Sequence, residues 1–249
     1  MEDVTILATT TAAMVTGYCL WARRRSWGQP WELGSTITVA GMFTCLLFMA
    51  PTWWAQLLST PLHSLTGVWD VDDLLGHLAY LSGLIALVNT LVNRVDLAEP
   101  ARFKRWCLEM PVTIMLPLLL GLFYTAAPQA HTRDLFAAPA TFWLSLYWIA
   151  LCSAASYLIT LLWRLLLVVR RDPRSRITAN LYLAAIVVDS GCVVSIIVSR
   201  MVPDYPHVVT WLLLSVAASG YALAPAYSWR EKTKRPAIKP GPDPQPVES

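Results

Sequence analysis

Seven long apolar stretches are the feature of this sequence that most restricts its fold. A helix needs roughly 20 mostly apolar residues to cross the hydrocarbon core of a bilayer, because the core is about 30 Å thick and each residue adds about 1.5 Å. The stretches that meet this requirement lie near Val4–Ala22, Gly34–Trp54, Asp73–Asn93, Met110–Ala127, Pro139–Val169, Ile177–Ser199 and Val208–Tyr227. The sequence therefore predicts an all-α, polytopic integral membrane protein, a bundle of seven transmembrane helices.

The composition agrees with this class and divides the chain in two. Hydrophobic residues make up 56% of the sequence and charged residues 14%, with a mean hydropathy of +0.50, which is typical of a multi-pass membrane protein. Residues 1–228 are predicted to form one transmembrane domain. Residues 229–249 form a basic, Pro-rich tail, which we expect to be disordered because it has too little apolar content to pack.

The positions of the basic residues predict the orientation of the bundle. Sixteen of the 19 lie after spans one, three, five and seven: Arg23, Arg24, Arg25, Arg94, Arg102, Lys104, Arg105, Arg170, Arg171, Arg174, Arg176, Arg230, Lys232, Lys234, Arg235 and Lys239. Short loops rich in Lys and Arg stay in the cytoplasm, so we expect the N-terminus outside the plasma membrane and the C-terminus inside. The net charge of +3 then reflects this bias and not nucleic-acid binding, and the basic loops are suited to contact anionic lipid headgroups.

Asp189 is the sharpest candidate for a functional group. It lies about 18 Å into the sixth span by helical rise. An ionisable side chain at this depth is costly, and such groups often relay protons or contact solutes. The alternative is a protonated carboxyl group that hydrogen-bonds a neighbouring helix. Arg164 in the fifth span could pair with it, although we expect that long side chain to extend to the lipid headgroups.

A second candidate group lies at the start of the third span. Asp73 and His77 are four residues apart and share one helix face. With Asp70 they could form an acidic entrance, a cation site or a pH-sensitive pair. The alternative is that these acids cap the helix N-terminus and complement its dipole. Asn89, further along the same span, is a candidate either for a binding group or for a hydrogen bond between helices.

Several chemistries have no support in the sequence. It contains no His-Glu-x-x-His metal motif, no Gly-x-Ser-x-Gly elbow and no Gly-rich phosphate loop. All four lysines lie outside the spans, which excludes a Schiff-base lysine in span seven. The five cysteines are not spaced as metal ligands. We therefore expect no enzyme activity, no cofactor and no metal.

One passage resembles a known family. The residues that carry the resemblance are Thr66-Gly67-Val68, Leu74-Leu75 and His77-Leu78, which open the third span, together with an overlong fifth span and a short Arg-rich turn after it. They are similar to the seven-helix membrane module of an actinobacterial family whose transporter label is itself an inference. The resemblance covers about residues 4–228. Family members typically continue into a sizeable cytoplasmic C-terminal region, where this chain has its Pro-rich tail.

Two functions remain open at this point. The first is a transporter or small-molecule receptor with an intramembrane polar site that involves Asp189, Asp73 and His77, and it predicts a polar cavity that reaches Asp189. The alternative is a non-catalytic membrane partner or regulatory subunit that acts through protein–protein contacts. It predicts a close-packed bundle without a continuous cavity.

Overall fold

Helices form the whole described architecture. The computed structural model describes residues 2–51, 53–95, 98–126, 132, 134–139, 141–202 and 204–234, and no strand occurs among them. The helices are α1 (Glu2–Ala22), α2 (Pro30–Met49), α3 (Trp53–Thr66), α4 (Val71–Val92), α5 (Pro100–Lys104), α6 (Met110–Ala126), α7 (Phe142–Val169), α8 (Arg176–Met201) and α9 (Val208–Lys234). A π-helical segment, Arg105–Glu109, joins α5 and α6 into one continuous helix, Pro100–Ala126.

Within the described part of the chain, seven helices are long and apolar enough to cross a membrane, which confirms the number predicted from the sequence. They are α1, α2, α4, the continuous helix Pro100–Ala126, α7, α8 and α9. Their connections gather at two ends of the bundle. We call the end that contains Asp70 and residues 134–139 the acidic end. The end that contains Arg23, Arg94 and the turn between α7 and α8 is the basic end.

Helices α2 and α4 pack with their backbones in close contact. A Cβ atom added to Gly41 would lie 2.5 Å from the carbonyl oxygen of Ala79 and 3.1 Å from the Cα of Gly83. The hydroxyl of Thr38 donates a hydrogen bond to the Gly83 carbonyl oxygen at 3.1 Å. Small residues allow this approach between membrane helices, where dispersion and interhelical hydrogen bonds stabilise the contact. The pair fixes α4, which carries most of the candidate site, at the centre of the bundle.

The structure differs from the predicted boundaries after the second span. We predicted a span up to Trp54, but α2 ends at Met49 and a separate helix, α3, follows. Pro51 explains the break, because the residue before a proline is disfavoured in the α region, and Ala50 is extended with φ −61° and ψ 135°. With 14 residues, α3 is too short to cross a bilayer.

Two other helices extend beyond their predicted spans at the basic end. The fourth span was predicted from Met110, but its helix already begins at Pro100, where proline occupies the first helical turn. Helix α9 continues through Lys234, so residues 229–234 of the predicted disordered tail are helical. Hydropathy marks the apolar part of a helix and not its polar extension. The rest of the tail, residues 235–249, lies outside the described residues.

Helix α6 lies at the periphery of the bundle. In the apolar part of the continuous helix Pro100–Ala126 that contains α6, 17% of the residues are buried, compared with 56% in α4. An apolar groove of about 260 Å³ separates α6 from α4 and α7, with Leu81 and Met115 among the side chains on its walls. It adjoins a wider groove of about 1060 Å³ that extends to the basic end.

Candidate functional site

Asp189 lies at a junction of three helices. Its side chain belongs to α8 and is 1% exposed. The oxygen Oδ2 accepts a hydrogen bond from the hydroxyl of Tyr80 in α4 at 2.8 Å and from that of Tyr221 in α9 at 2.9 Å. Both tyrosines are also buried. The carboxyl group therefore links α4, α8 and α9 through two neutral donors.

No basic side chain among the described residues pairs with Asp189. Arg164, considered above as a partner, is exposed on α7 and makes no ion pair with it. The second carboxyl oxygen, Oδ1, accepts no hydrogen bond within the described part of the chain. A buried carboxylate usually needs a cation or several strong donors. The Asp189 environment therefore favours a group that can exchange a proton over a permanently paired ion.

His77 occupies the same face of α4 as Tyr80. Asp73, His77 and Tyr80 follow one another at intervals of four and three residues, so their side chains form one row along the helix. The Nδ1 atom of His77 lies 2.8 Å from the hydroxyl of Tyr147, and its ring meets the indole of Trp148 edge-on at 5.1 Å. The Nε2 atom of His77 is buried without a hydrogen-bond partner among the described residues.

His77 and Asp189 line one small cavity. Its volume is about 40 Å³, and Tyr80, Trp148 and Phe136 contribute to its walls together with mainly apolar side chains. This volume accommodates water, since a cavity needs roughly 10–15 Å³ to hold one molecule. It is far below the ~300 Å³ at which pockets for organic ligands begin. The transporter or receptor hypothesis predicted a polar cavity that reaches Asp189, whereas the cavity found there is small and largely apolar.

Asp70 and Asp73 lie nearer the acidic end. Asp70 occupies the N-cap of α4 with a left-handed backbone (φ 59°), but its side chain makes no capping hydrogen bond. It accepts hydrogen bonds from Thr132 instead, from the backbone N–H at 3.2 Å and from the hydroxyl at 2.5 Å. Asp73 is buried one turn above His77. Asp70 therefore attaches a loop to α4, and Asp73 lies between that loop and the cavity.

The loop of residues 134–139 covers the cavity at the acidic end, and sequence analysis did not single it out. The guanidinium of Arg200 donates to the carbonyl oxygens of Leu135, Phe136 and Ala138 at 3.0–3.3 Å. Arg200 also stacks over the Trp148 ring, with its Cζ atom 5.1 Å from the ring centroid. The Phe136 ring is thereby held in the cavity wall. A lone arginine near a span end was the only sequence signal for this arrangement.

Asp134 fixes the other side of this loop. Its Oδ1 accepts the Phe136 N–H at 2.9 Å, and its Oδ2 accepts the Nε1–H of Trp211 at 3.1 Å. Burial raises the pKa of the Asp134 carboxyl group, although these hydrogen bonds and the nearby charge of Arg200 partly oppose the shift. The loop is therefore held by side chains from α8 and α9 at once.

Asn89 lies apart from the other candidate residues. It is exposed near the basic end of α4 and lines the wide groove beside α6. It makes no hydrogen bond to another helix within the described residues. Of the five residues singled out in the sequence, the structure thus brings Asp189 and His77 together, places Asp73 and Asp70 in line above them, and separates Asn89.

Glu32 forms a second buried acidic centre that sequence analysis missed. Its Oε2 accepts the Nη2–H of Arg23 at 2.7 Å and its Oε1 the ammonium of Lys232 at 2.5 Å, so it connects α1, α2 and α9. The Ser35 hydroxyl completes the cluster by accepting from Arg23 at 2.8 Å. Burial lowers the pKa of Arg23, although Tyr182 and Glu32 partly oppose the shift. The predicted span began at Gly34, so Glu32 was treated as a loop residue.

No protein-family model, curated protein or solved structure matches this chain. The resemblance to the actinobacterial module stays a prediction. The geometry of the molecule is therefore the basis for the functions proposed below.

Proposed function

We propose that this chain is an integral protein of a bacterial plasma membrane, with its N-terminus outside and its C-terminus in the cytoplasm. The seven apolar helices and the collection of basic residues at one end of the bundle support this topology. Reporter fusions test it. A fluorescent protein fused to the C-terminus should be fluorescent, and alkaline phosphatase at the same position should be inactive. Active phosphatase there would overturn the proposed orientation.

We propose further that the protein is a transporter or small-molecule receptor whose intramembrane site is built around Asp189. The observation that carries this proposal is the isolation of that carboxyl group from any cation, with two tyrosine hydroxyls as its only hydrogen-bond donors in the described chain. A group held in this way is costly in a membrane and can change its proton occupancy without breaking an ion pair. His77 lines the same cavity.

The cavity volume indicates which conformation of the proposed transporter or receptor the structure represents. With about 40 Å³ it is large enough for water but too small for an organic solute. The conformation therefore corresponds to a closed state, and a solute can enter only when helices move apart. The row formed by Asp73, His77 and Tyr80 leads from the acidic end to Asp189 and gives protons a polar route along α4.

Native mass spectrometry of protein extracted gently from its host membrane tests the site. We expect wild type to retain a small molecule or ion that Asp189→Asn loses. The matched control is Asp204→Asn, because Asp204 is exposed and its left-handed φ of 58° is one that asparagine tolerates. This control should keep whatever wild type binds. Equal occupancy in wild type and Asp189→Asn would overturn the Asp189 site.

The close packing around Asp189 favours one other candidate, a non-catalytic membrane partner or regulatory subunit. In that function the Tyr80–Asp189–Tyr221 contact holds three helices together, and its small cavity needs no ligand. The same mass spectra distinguish the two functions. A protein partner at fixed stoichiometry, retained by wild type and Asp189→Asn alike, would support the subunit and contradict the transporter or receptor.

A further inference from the structure

A second cavity lies at the basic end, remote from Asp189. It has a volume of about 300 Å³ and opens between α4, α7, α8 and α9. Three cationic side chains line it, those of Arg94, Arg174 and Lys232, together with one carboxylate, Glu231. The volume lies at the lower limit of the pockets that bind small molecules. Unlike the central cavity, this one is lined by several charged side chains, and these are predominantly positive.

The N-terminus of α8 faces this cavity. Ser175 is the N-cap residue, but its side chain makes no capping hydrogen bond. The N–H groups of Arg176, Ile177 and Thr178 have no acceptor among the described residues, and the last two of these residues line the cavity. Free N–H groups and the helix dipole make such a terminus attractive to anions.

A buried tyrosine side chain provides a second, independent indication of a ligand. Tyr182, one turn after Thr178, lines the same cavity and is only 5% exposed. Its hydroxyl makes no hydrogen bond with the described residues. Behind it lies Arg23, whose Nε and Nη1 atoms are buried without hydrogen-bond partners in the described chain. Buried guanidinium N–H groups normally have hydrogen-bond partners, so Arg23 adds unused donors and positive charge close to Tyr182.

Two carboxylates near this cavity, those of Glu32 and Asp172, are already engaged with other groups. Glu32 is engaged with Arg23 and Lys232. Asp172 accepts from the Arg174 N–H at 3.0 Å and from the Ser175 hydroxyl at 3.1 Å.

The two arginine side chains on the cavity wall are available to a ligand. The guanidinium groups of Arg94 and Arg174 make no hydrogen bond or ion pair within the described chain, and both residues are exposed. Guanidinium groups bind phosphate oxygens in a bidentate manner. The cavity wall thus offers two guanidinium groups without a partner in the described chain.

We propose that this cavity binds a phosphate group, with Arg94, Arg174 and the N-terminus of α8 as its principal donors and the Tyr182 hydroxyl as a further one. The phosphate can belong to a phosphorylated solute or to the headgroup of an anionic phospholipid. Arg94, Ser175 and Lys232 also border the wide groove beside α6, which continues along apolar walls. A lipid bound by its phosphate would have this groove for an acyl chain.

Two probes separate these sources. Full-length protein is reconstituted in nanodiscs of phosphatidylcholine alone, and the binding of inorganic phosphate is measured by calorimetry. In parallel, nanodiscs that also contain phosphatidylglycerol are analysed by native mass spectrometry for retained lipid. The test variant is Arg94→Gln/Arg174→Gln. The matched control is Arg170→Gln/Arg171→Gln, because these neighbouring arginines line a different surface at the end of α7.

We expect wild type and the control to bind at least one probe, and the test variant to bind it at least about tenfold more weakly. Loss of phosphate binding identifies a solute site, and loss of retained phosphatidylglycerol alone identifies a headgroup site. Tyr182→Phe, which preserves the buried ring, should weaken the same probe by a smaller factor. Equal binding of both probes to wild type and the test variant would overturn the proposal. Asp189→Asn should bind like wild type, so this result is independent of the proposed transporter or receptor site.

Discussion

Helices α4 and α6 are neighbours in the chain and have similar apolar compositions, yet they occupy opposite environments. Helix α4 is packed against α2 at backbone distance and contributes Tyr80 and His77 to the interior. Helix α6 exposes most of its surface and contacts chiefly α7. Lipid chains are as apolar as a protein interior, so hydrophobicity does not decide which of two apolar helices lies at the centre. Small residues and hydrogen bonds that only another helix can accommodate decide it.

The largest contrast between the two helices should come from adding one methyl group to a glycine. Gly41→Ala places a Cβ against backbone atoms of α4 that cannot move aside, so we expect a loss of about 3 kcal/mol in the free energy of unfolding. Gly121→Ala in α6 is the control, because no atom lies within 4 Å of its new Cβ. Reversible unfolding in mixed micelles measures both. Equal effects would refute the close packing of α2 and α4.

Loss of a tyrosine hydroxyl should give a smaller difference in unfolding free energy between the bundle interior and α6. Tyr80→Phe and Tyr221→Phe each remove one donor from the Asp189 carboxyl group, and we expect each to cost about 1 kcal/mol of unfolding free energy. Tyr124→Phe in α6 should be neutral, since that side chain is exposed. The double variant should lose more than either single variant. A double variant as stable as wild type would mean that the two hydroxyls do not stabilise the junction.

A hydrogen bond between α2 and α4 should contribute less again. Thr38→Val keeps the shape of the side chain but removes its donor to the Gly83 carbonyl oxygen, and such bonds in membrane proteins average about 0.6 kcal/mol. Thr125 in α6 donates within its own helix, to Gly121. Thr125→Val should therefore leave the same unfolding measurement unchanged. A cost at Thr125 equal to that at Thr38 would argue against an interhelical role.

The smallest effect we expect is a pH dependence of the free energy of unfolding. It comes from Asp134 in the loop that covers the cavity at the acidic end. Burial raises the pKa of Asp134 above its ordinary value of 3.8, so the folded protein bears the cost of a buried charge above the raised pKa. As the pH decreases through that pKa toward 3.8, this cost is relieved. Wild type should therefore gain stability relative to Asp134→Asn on acidification. Unfolding free energies measured at several pH values give the sign, and a difference independent of pH would contradict it.

The sequence predicted the seven long helices because the bilayer alone sets how long and how apolar a spanning helix must be. Seven long apolar helices and the burial of Asp189 were expected from single segments of the chain. The loop that Arg200 and Asp134 fix was not, because its contacts join residues more than 60 positions apart. Gly41 and Gly121 look alike in the sequence, and only the packing shows that one is indispensable. Asn89 and Asp189 differ for the same reason, since helix rotation sets which polar group faces inward.

The attachment of residues 134–139 has a consequence for rates. Arg200 and Asp134 hold the same short segment from two sides, so their bonds must break together before the segment can leave the cavity. Exchange of water with the cavity through the acidic end should thus be slow and should accelerate steeply with temperature, as concerted local opening does. The wide groove at the basic end requires no such rupture. Molecules that enter there should equilibrate rapidly, so the central cavity and the wide groove should operate on different timescales.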